Sequence, residues 1–216
     1  FEHSKLSSDN SNLSHPVLKQ LLTLQGLTTL YLSWTNTGDW AAKLISETDL
    51  PYLENLTLCN IVFDEASNGL TDESVEYLRD IPQLTTLNLA GNRITDLRIN
   101  RLYKLRRLEH LNLNVLLLVD SVMLPDGSKE IRNVGELQQL SHLLTFKISN
   151  TIIFAANRLS LESFHSIGQL RTLNVLVLSS PRSMKVFAKS PATQWSYLNL
   201  SPDFVTSSSM GLDEDT

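Results

Sequence analysis

The sequence predicts an α/β solenoid, in which each repeat adds one strand to a curved parallel sheet on the concave face and one short helix to the convex face. Two observations predict it. Leucine accounts for 42 of the 216 residues, whereas aromatic residues make up only 7%. The spacing L-x-x-L-x-L marks five units along the chain, and two further units keep it with other apolar residues, as Leu143/Phe146/Ile148 and Trp195/Leu198/Leu200. A unit this small cannot bury its own apolar side chains, so stacked neighbours must bury them together.

The strands are predicted from the period of the leucines. The clearest unit reads Leu84-Thr-Thr-Leu87-Asn-Leu89-Ala-Gly-Asn92-Arg-Ile94-Thr-Asp96. With Leu84 as its marker, the other units have markers at Leu27, Leu53, Leu108, Leu143, Leu173 and Trp195. The L-x-L part has a period of two, which is typical of a short strand.

The helices are predicted from apolar residues, mostly three apart, that precede the markers and indicate one buried stripe. Upstream of Leu84 they are Leu70, Val75, Leu78 and Ile81. The same offsets before Leu27 hold Leu13, Leu18, Leu21 and Leu24. The second unit departs from this pattern, because Leu44 and Leu50 fit but Glu47 stands at the middle offset.

These motifs resemble those of leucine-rich-repeat proteins over residues 13–203. The step Ile94-Thr95-Asp96, repeated at Leu70-Thr71-Asp72, is similar to the ribonuclease-inhibitor-like and F-box-associated repeat subclass. The resemblance implies that an asparagine at the position of Asn92 bonds the backbone between coils. In the other units that position holds Thr35, Ile61, Leu116, Thr151, Pro181 and Asp203. We therefore expect an irregular solenoid.

Composition divides the chain into three regions. Residues 1–12 are predicted to be a flexible loop, residues 13–203 the solenoid, and residues 204–216 a disordered, acidic, Ser-rich tail. The chain begins at Phe1 without an apolar signal segment, so we expect a fragment or a processed chain.

Charge and hydropathy narrow the classes of partner. No apolar stretch approaches the roughly 18 residues of a membrane span, so no membrane partner is expected. A net charge of -5 with mixed signs gives no electrostatic signature for nucleic acid. The single cysteine, Cys59, fits a reducing compartment, which predicts a cytoplasmic or nuclear protein.

The sequence contains no arrangement typical of an enzyme. The five histidines are scattered, the glycines are isolated, and there is no G-x-S-x-G element. We therefore predict a non-enzyme with no metal and no cofactor.

Outward-facing residues of the strands form the first candidate surface. Because the leucines of each strand face the core, the residues between them face out on the concave sheet. The candidates for partner binding are Tyr31, Asn55, Asn88, His110, Asn112, Lys147 and Tyr197. This face is small, polar and almost uncharged, which favours a neutral polypeptide as partner. The alternative is that these polar residues only keep the sheet soluble and bind no partner.

Insertions form the second candidate surface. Extra residues at about 59–69, 114–130 and 151–158 all follow a strand, so they are expected to project from one rim of the solenoid. The candidate rim residues are Trp34, Phe63, Val122, Met123 and Phe154. The alternative is that these side chains fold back and cap their own loops.

Basic residues cluster around the helix upstream of Leu108. They are Arg93, Arg98, Arg101, Lys104, Arg106 and Arg107. We interpret them as the solvated side of a convex helix; the alternative is a receptor for an acidic partner or for the acidic tail.

Together these features predict a non-catalytic, monomeric interaction module that binds another protein on the concave sheet and the insert-bearing rim. The alternative, suggested only by the F-box resemblance, is the substrate-recognition part of a ubiquitin ligase whose adaptor-binding segment is absent from this chain. A third class, an enzyme inhibitor, would need a charged concave face.

Overall fold

A computed structural model describes residues 4–7, 13–33, 35, 37–59, 69–113, 122–123, 129–131, 139–140, 143–148, 157–159, 167, 169–170, 172–178 and 197–200. The strands in these ranges are β1 (Ser4–Ser7), β2 (Leu27–Tyr31), β3 (Asn55–Thr57), β4 (Thr86–Asn88), β5 (His110–Asn112), β6 (Val122–Met123), β7 (Lys129–Ile131), β8 (Thr145–Ile148), β9 (Asn157–Leu159), β10 (Val175–Leu178) and β11 (Tyr197–Leu200). The helices are α1 (His15–Leu21), α2 (Asp39–Glu47), α3 (Asp72–Leu78), α4 (Asp96–Ile99) and a 3-10 helix (Asn100–Lys104).

The main sheet is parallel and has eight strands in the described ranges, in the order β1-β2-β3-β4-β5-β8-β10-β11. Seven of them lie at the seven predicted units. The eighth, β1, pairs with β2 and lies inside the segment 1–12, for which the sequence predicts a loop. Only Leu6 in β1 is a typical strand residue, so the local sequence carries no strand signal and the pairing comes from the exposed edge of β2.

Leucines in register build the core beneath the main sheet. Leu30, Leu56, Leu87 and Leu111 are consecutive partners across β2, β3, β4 and β5, and all are at most 1% exposed. One continuous apolar cluster, from Leu13 to Leu173, joins these strand residues to the buried side of the helices. Burying one leucine side chain stabilises the fold by about 1.5–3 kcal/mol, so the stacked leucines dominate stability.

Two details of the helical stripe differ from the prediction. Leu24 is 44% exposed, whereas Leu22, which the three-residue spacing omits, is 1% exposed. An α-helix repeats every 3.6 residues, so Leu22 follows Leu18 on the same face. In α2 the buried residues include Ala41 and Ile45, and Leu44 is only partly buried.

Asp–Thr contacts join successive repeats on the convex side. The carboxylate of Asp39 accepts hydrogen bonds from the backbone N–H and the hydroxyl of Thr71, at 2.8 and 2.6 Å. In the next pair of repeats, Asp72 accepts from the N–H and hydroxyl of Thr95, both at 2.7 Å. The Thr-Asp step therefore works as an inter-repeat link: its threonine donates to the preceding repeat, and the aspartate of Thr71-Asp72 accepts from the following one.

Asn92 fixes the turn that follows β4. It is fully buried; its Oδ1 accepts from the N–H of Leu70 at 3.0 Å, and its Nδ2 donates to the carbonyls of Leu58 at 2.7 Å and Leu89 at 2.9 Å. The preceding Gly91 has φ 75°, a left-handed conformation that favours glycine. Thr35 takes this position after β2, where its hydroxyl donates to the Leu32 carbonyl at 2.9 Å.

A second sheet joins two of the insertions. Its order is β6-β7-β9, with β6 and β7 antiparallel and β7 and β9 parallel. β6 lies within the predicted insertion 114–130, and β7 begins in that insertion and ends just beyond it. β9 lies at the end of the predicted insertion 151–158. Two segments that follow different strands of the main sheet therefore pair with each other.

Candidate protein-interaction surface

Two rows of side chains cross the concave face of the main sheet. In the first row the consecutive register partners are Thr29, Asn55, Thr86, His110 and Thr145. In the second row they are Tyr31, Thr57, Asn88 and Asn112. Parallel pairing without slips aligns the outward residues, so the polar positions of separate repeats become neighbours about 4.8 Å apart.

The predicted concave candidates with described side chains are accessible. Tyr31 is 42% exposed, and Asn55, Asn88, His110 and Asn112 are half-buried. Lys147 and Tyr197 lie at the expected register positions of β8 and β11, opposite Asn112 and Val175 respectively. The sheet thus brings the seven predicted positions onto two adjacent rows.

Two of the outward positions on the concave face are nearly inaccessible to solvent. Thr29 and Thr57 are only 3% and 9% exposed, although the alternation of the strand predicts both to face out. The carboxamide of Asn55 donates to the Thr29 hydroxyl at 3.5 Å, across the β2–β3 pair. The alternation of the strand alone therefore does not determine exposure on this face.

Cys59 lies just beyond β3 and is half-buried. Burial raises the pKa of its thiol, because desolvation disfavours the thiolate. This change opposes reactivity at neutral pH.

A third row of residues, missed by the sequence analysis, lies where the chain enters the strands. We call it the entry row; it consists of Thr28, Glu54, Thr85, Glu109, Leu144 and Asn174. Backbone hydrogen bonds join each residue to the next, with N–H to carbonyl distances of 2.7–3.0 Å. The signal was available, since each of these residues directly follows a marker leucine. Two of its members are acidic: Glu54, which is exposed, and Glu109, which is half-buried.

The rim candidates are only partly located. Val122 and Met123 form β6 of the second sheet, so the backbone of the insertion 114–130 pairs with a neighbouring segment there. Trp34, Phe63 and Phe154 lie outside the described residues.

The basic cluster lies on the convex side, where the adjacent repeat supplies carboxylates to several of its members. Glu76 forms ion pairs with Arg79, with Arg98 at 3.2 Å and with Arg101 at 3.9 Å. Lys104 lies 3.8 Å from Asp80. The guanidinium of Arg106 donates to Gln139, at 3.1 Å to its carbonyl and 3.0 Å to its side chain. These contacts give the cluster a structural role between repeats.

Within the described ranges, no group of three or more His, Cys, Asp or Glu side chains is placed to hold a metal ion. The helices in the same ranges are too short or too polar to cross a membrane.

The sequence matches no family model and no curated protein. Among solved structures, the chain is similar to internalin C2 from Listeria monocytogenes, with 19% sequence identity and a TM-score of 0.56. The match covers 91% of this chain and 80% of that chain. Together with the parallel sheet and its leucine core, this likeness supports the leucine-rich-repeat fold.

Proposed function

We propose that this chain is a non-catalytic interaction module that binds a polypeptide partner on its concave face and insert-bearing rim. The observation that carries the proposal is the alignment of Tyr31, Asn88 and Asn112 in one accessible row. Amide and phenol groups in a row can bind the backbone of a polypeptide without a net charge on either side. Solenoid proteins commonly use such extended concave surfaces for binding.

Tyr31 is the proposed anchor of this surface. Among the described residues, it is an aromatic side chain on the concave face. It lies at the end of β2 and is 42% exposed. A tyrosine offers a large apolar area together with a hydroxyl, which makes it a frequent hot spot of interfaces.

The experiment is affinity capture from the native cell, followed by a dissociation constant for the captured protein. Tyr31→Ser should weaken that complex by about 30-fold or more, in line with the loss of an interface hot spot. Val17→Ser is the matched control, because Val17 is 48% exposed on α1 and its loss should leave binding unchanged. Equal affinity of both variants for every captured protein would refute a concave binding surface.

The rim has its own test. Phe63→Ala, Met123→Ala and Phe154→Ala should each weaken capture of the same partner while the melting temperature stays nearly constant. A large fall in melting temperature would instead assign these side chains to the interior of their loops.

The ubiquitin-ligase role is the second candidate, and it depends on the Thr-Asp step that resembles F-box-associated repeats. The links Asp39–Thr71 and Asp72–Thr95 give that step a structural use, which is compatible with either function. Recovery of ligase subunits with the full-length protein would support it. We also propose that the chain is a monomer, which sedimentation tests. We propose that it lies in the cytoplasm or nucleus, which microscopy tests.

A further inference from the structure

The entry row contains two carboxylates, those of Glu54 and Glu109. Glu54 is exposed and Glu109 is half-buried, with Thr85 between them. In the described part of the chain, neither carboxylate makes a side-chain hydrogen bond or an ion pair. Since β3 and β5 are two strand spacings apart, the two glutamates are separated by about 10 Å.

Several described basic residues near these repeats are paired or lie on other strands. Arg98 and Arg101 pair with Glu76 on the convex side. Arg107, two residues before Glu109, is exposed and forms no ion pair within the described ranges. Lys5 is exposed on β1, two strands away from β3. Within the described ranges, no basic side chain forms an ion pair with either glutamate of the entry row.

Exposed apolar side chains flank the two glutamates. Leu144 follows Glu109 in the row, with its N–H 2.7 Å from the Glu109 carbonyl, and it is 37% exposed. Tyr52 stands two residues before Glu54 and is 51% exposed. These are two of the five exposed large hydrophobic residues in the described part of the chain. A matching partner would place apolar side chains beside its cations.

We propose, on the basis of the function proposed above, that the entry row docks a polypeptide segment with two Lys or Arg side chains about 10 Å apart and an apolar side chain next to them. In a segment with polyproline II conformation, which has three residues per turn, residues i and i+3 lie on the same side about 9 Å apart. Each cation meets one carboxylate, and the apolar side chain covers Leu144. The charges steer and orient the segment, while the concave rows supply the remaining contacts.

The test is a selection of displayed random 12-residue peptides on three versions of the whole chain. The versions are the unaltered protein, the row variant Glu54→Gln/Glu109→Gln and the control Glu47→Gln/Asp49→Asn. The control removes the same charge from exposed positions at the end of α2. Glutamine keeps the size of glutamate, and equal melting temperatures would show that all three versions fold.

The expected result is an excess of Lys and Arg over Asp and Glu in the peptides selected by the unaltered protein and the control. The row variant should lose that excess, and it should bind the selected peptides about tenfold more weakly, as expected for two exposed charge pairs. Salt at 0.3 M should reduce the difference between row variant and control.

Three outcomes would overturn the inference. The selected peptides show no excess of basic residues, the excess persists in the row variant, or the unaltered protein self-associates through the row. In the last case a second copy, bringing its basic convex side, would be the occupant. If neutral peptides are selected and Tyr31→Ser abolishes their binding, the proposed function stands while this inference fails. If no peptide depends on either surface, both fail.

Discussion

The convex and buried side of the solenoid differs from the concave face in how its polar groups are satisfied. On the convex side Asp39 and Asp72 each accept two hydrogen bonds from the next repeat, and Asn92 bonds three backbone groups in the interior. On the concave face Asn88 accepts one local bond, from the N–H of Ala90 at 3.1 Å, and is half-exposed.

This difference separates polar residues that hold repeats together from polar residues that are available to a partner. A buried polar group without its hydrogen bond costs about 1–3 kcal/mol, whereas an exposed one exchanges its partner for water at little cost. Substitutions of the same chemical type on the two sides should therefore have unequal effects on stability.

The largest expected effect is that of Asn92→Ala. It leaves the buried N–H of Leu70 and the carbonyl of Leu58 unpaired, so the free energy of unfolding should fall by about 3 kcal/mol. Asn88→Ala in the same repeat is the matched control, with an expected change below about 0.5 kcal/mol. Urea denaturation followed by circular dichroism measures both. Similar losses for the two variants would remove the distinction between the two sides.

The next effect concerns the link between repeats. Asp72→Ala removes two charge-assisted hydrogen bonds to Thr95, so we expect a loss of about 2 kcal/mol. Glu73→Ala, one residue further in the same first turn, should cost less, because Glu73 is exposed and accepts only from the Tyr77 hydroxyl. A larger loss for Glu73→Ala would contradict the role given to the Thr-Asp step.

A smaller effect is expected for the ion pairs of the convex side. Glu76→Gln should cost about 1 kcal/mol, because one carboxylate serves Arg79, Arg98 and Arg101. Glu47→Gln breaks only an exposed pair with Lys43 at 3.9 Å, so it should lower the free energy of unfolding by only about 0.3 kcal/mol. Repeating the unfolding at 1 M NaCl should nearly equalise the two variants. A difference that survives the salt would point to packing rather than charge.

The smallest effect is the titration of Tyr77. Its hydroxyl donates to Glu73 at 2.6 Å, and this hydrogen bond, with desolvation and the charges of Glu73, Asp39 and Glu47, raises the pKa of Tyr77 above the usual value of about 10. Because folding raises the pKa of Tyr77, the protonated phenol stabilises the folded state below about pH 10. This stabilisation is lost as the pH rises through the pKa of Tyr77 in the folded protein.

Spectrophotometric titration of the phenols measures this directly. Tyr77→Phe should remove a phenol that ionises above the usual pKa of about 10, and Glu73→Gln should lower the pKa of Tyr77. An unchanged titration curve for Glu73→Gln would assign the shift to another cause.

Much of the architecture was predictable because the leucine period reports burial directly. The marker leucines with described side chains are buried, and each of the seven units contains a strand of the main sheet. Leu24 was predicted incorrectly: it is 44% exposed and Leu22 meets the core instead, although Ile81 and Leu105, at the same offset in other repeats, are buried. β1 escaped prediction because a strand at the edge of a sheet is stabilised by its neighbour rather than by its own residues.

The candidate surface was predictable in part. Alternation correctly assigns Tyr31, Asn88 and His110 to the concave side, but it misses Glu54 and Glu109, which precede the alternating stretch of their repeats. It also places Thr29 outside, although Thr29 is only 3% exposed. Accessibility depends on neighbours from other repeats, which a single repeat does not reveal.

By itself the sequence determined the repeated unit, the inward direction of the leucines and the identity of the outward residues, because a period of two or 3.6 is a local property of the backbone. Only the tertiary structure decided which repeats contact one another. It paired β2, β3, β4, β5 and β8 without slips, joined Asp72 to Thr95, connected two distant insertions in a second sheet and aligned Glu54 with Glu109 in one row. These contacts join residues from different repeats, and their geometry is set by stacking, which no local pattern encodes.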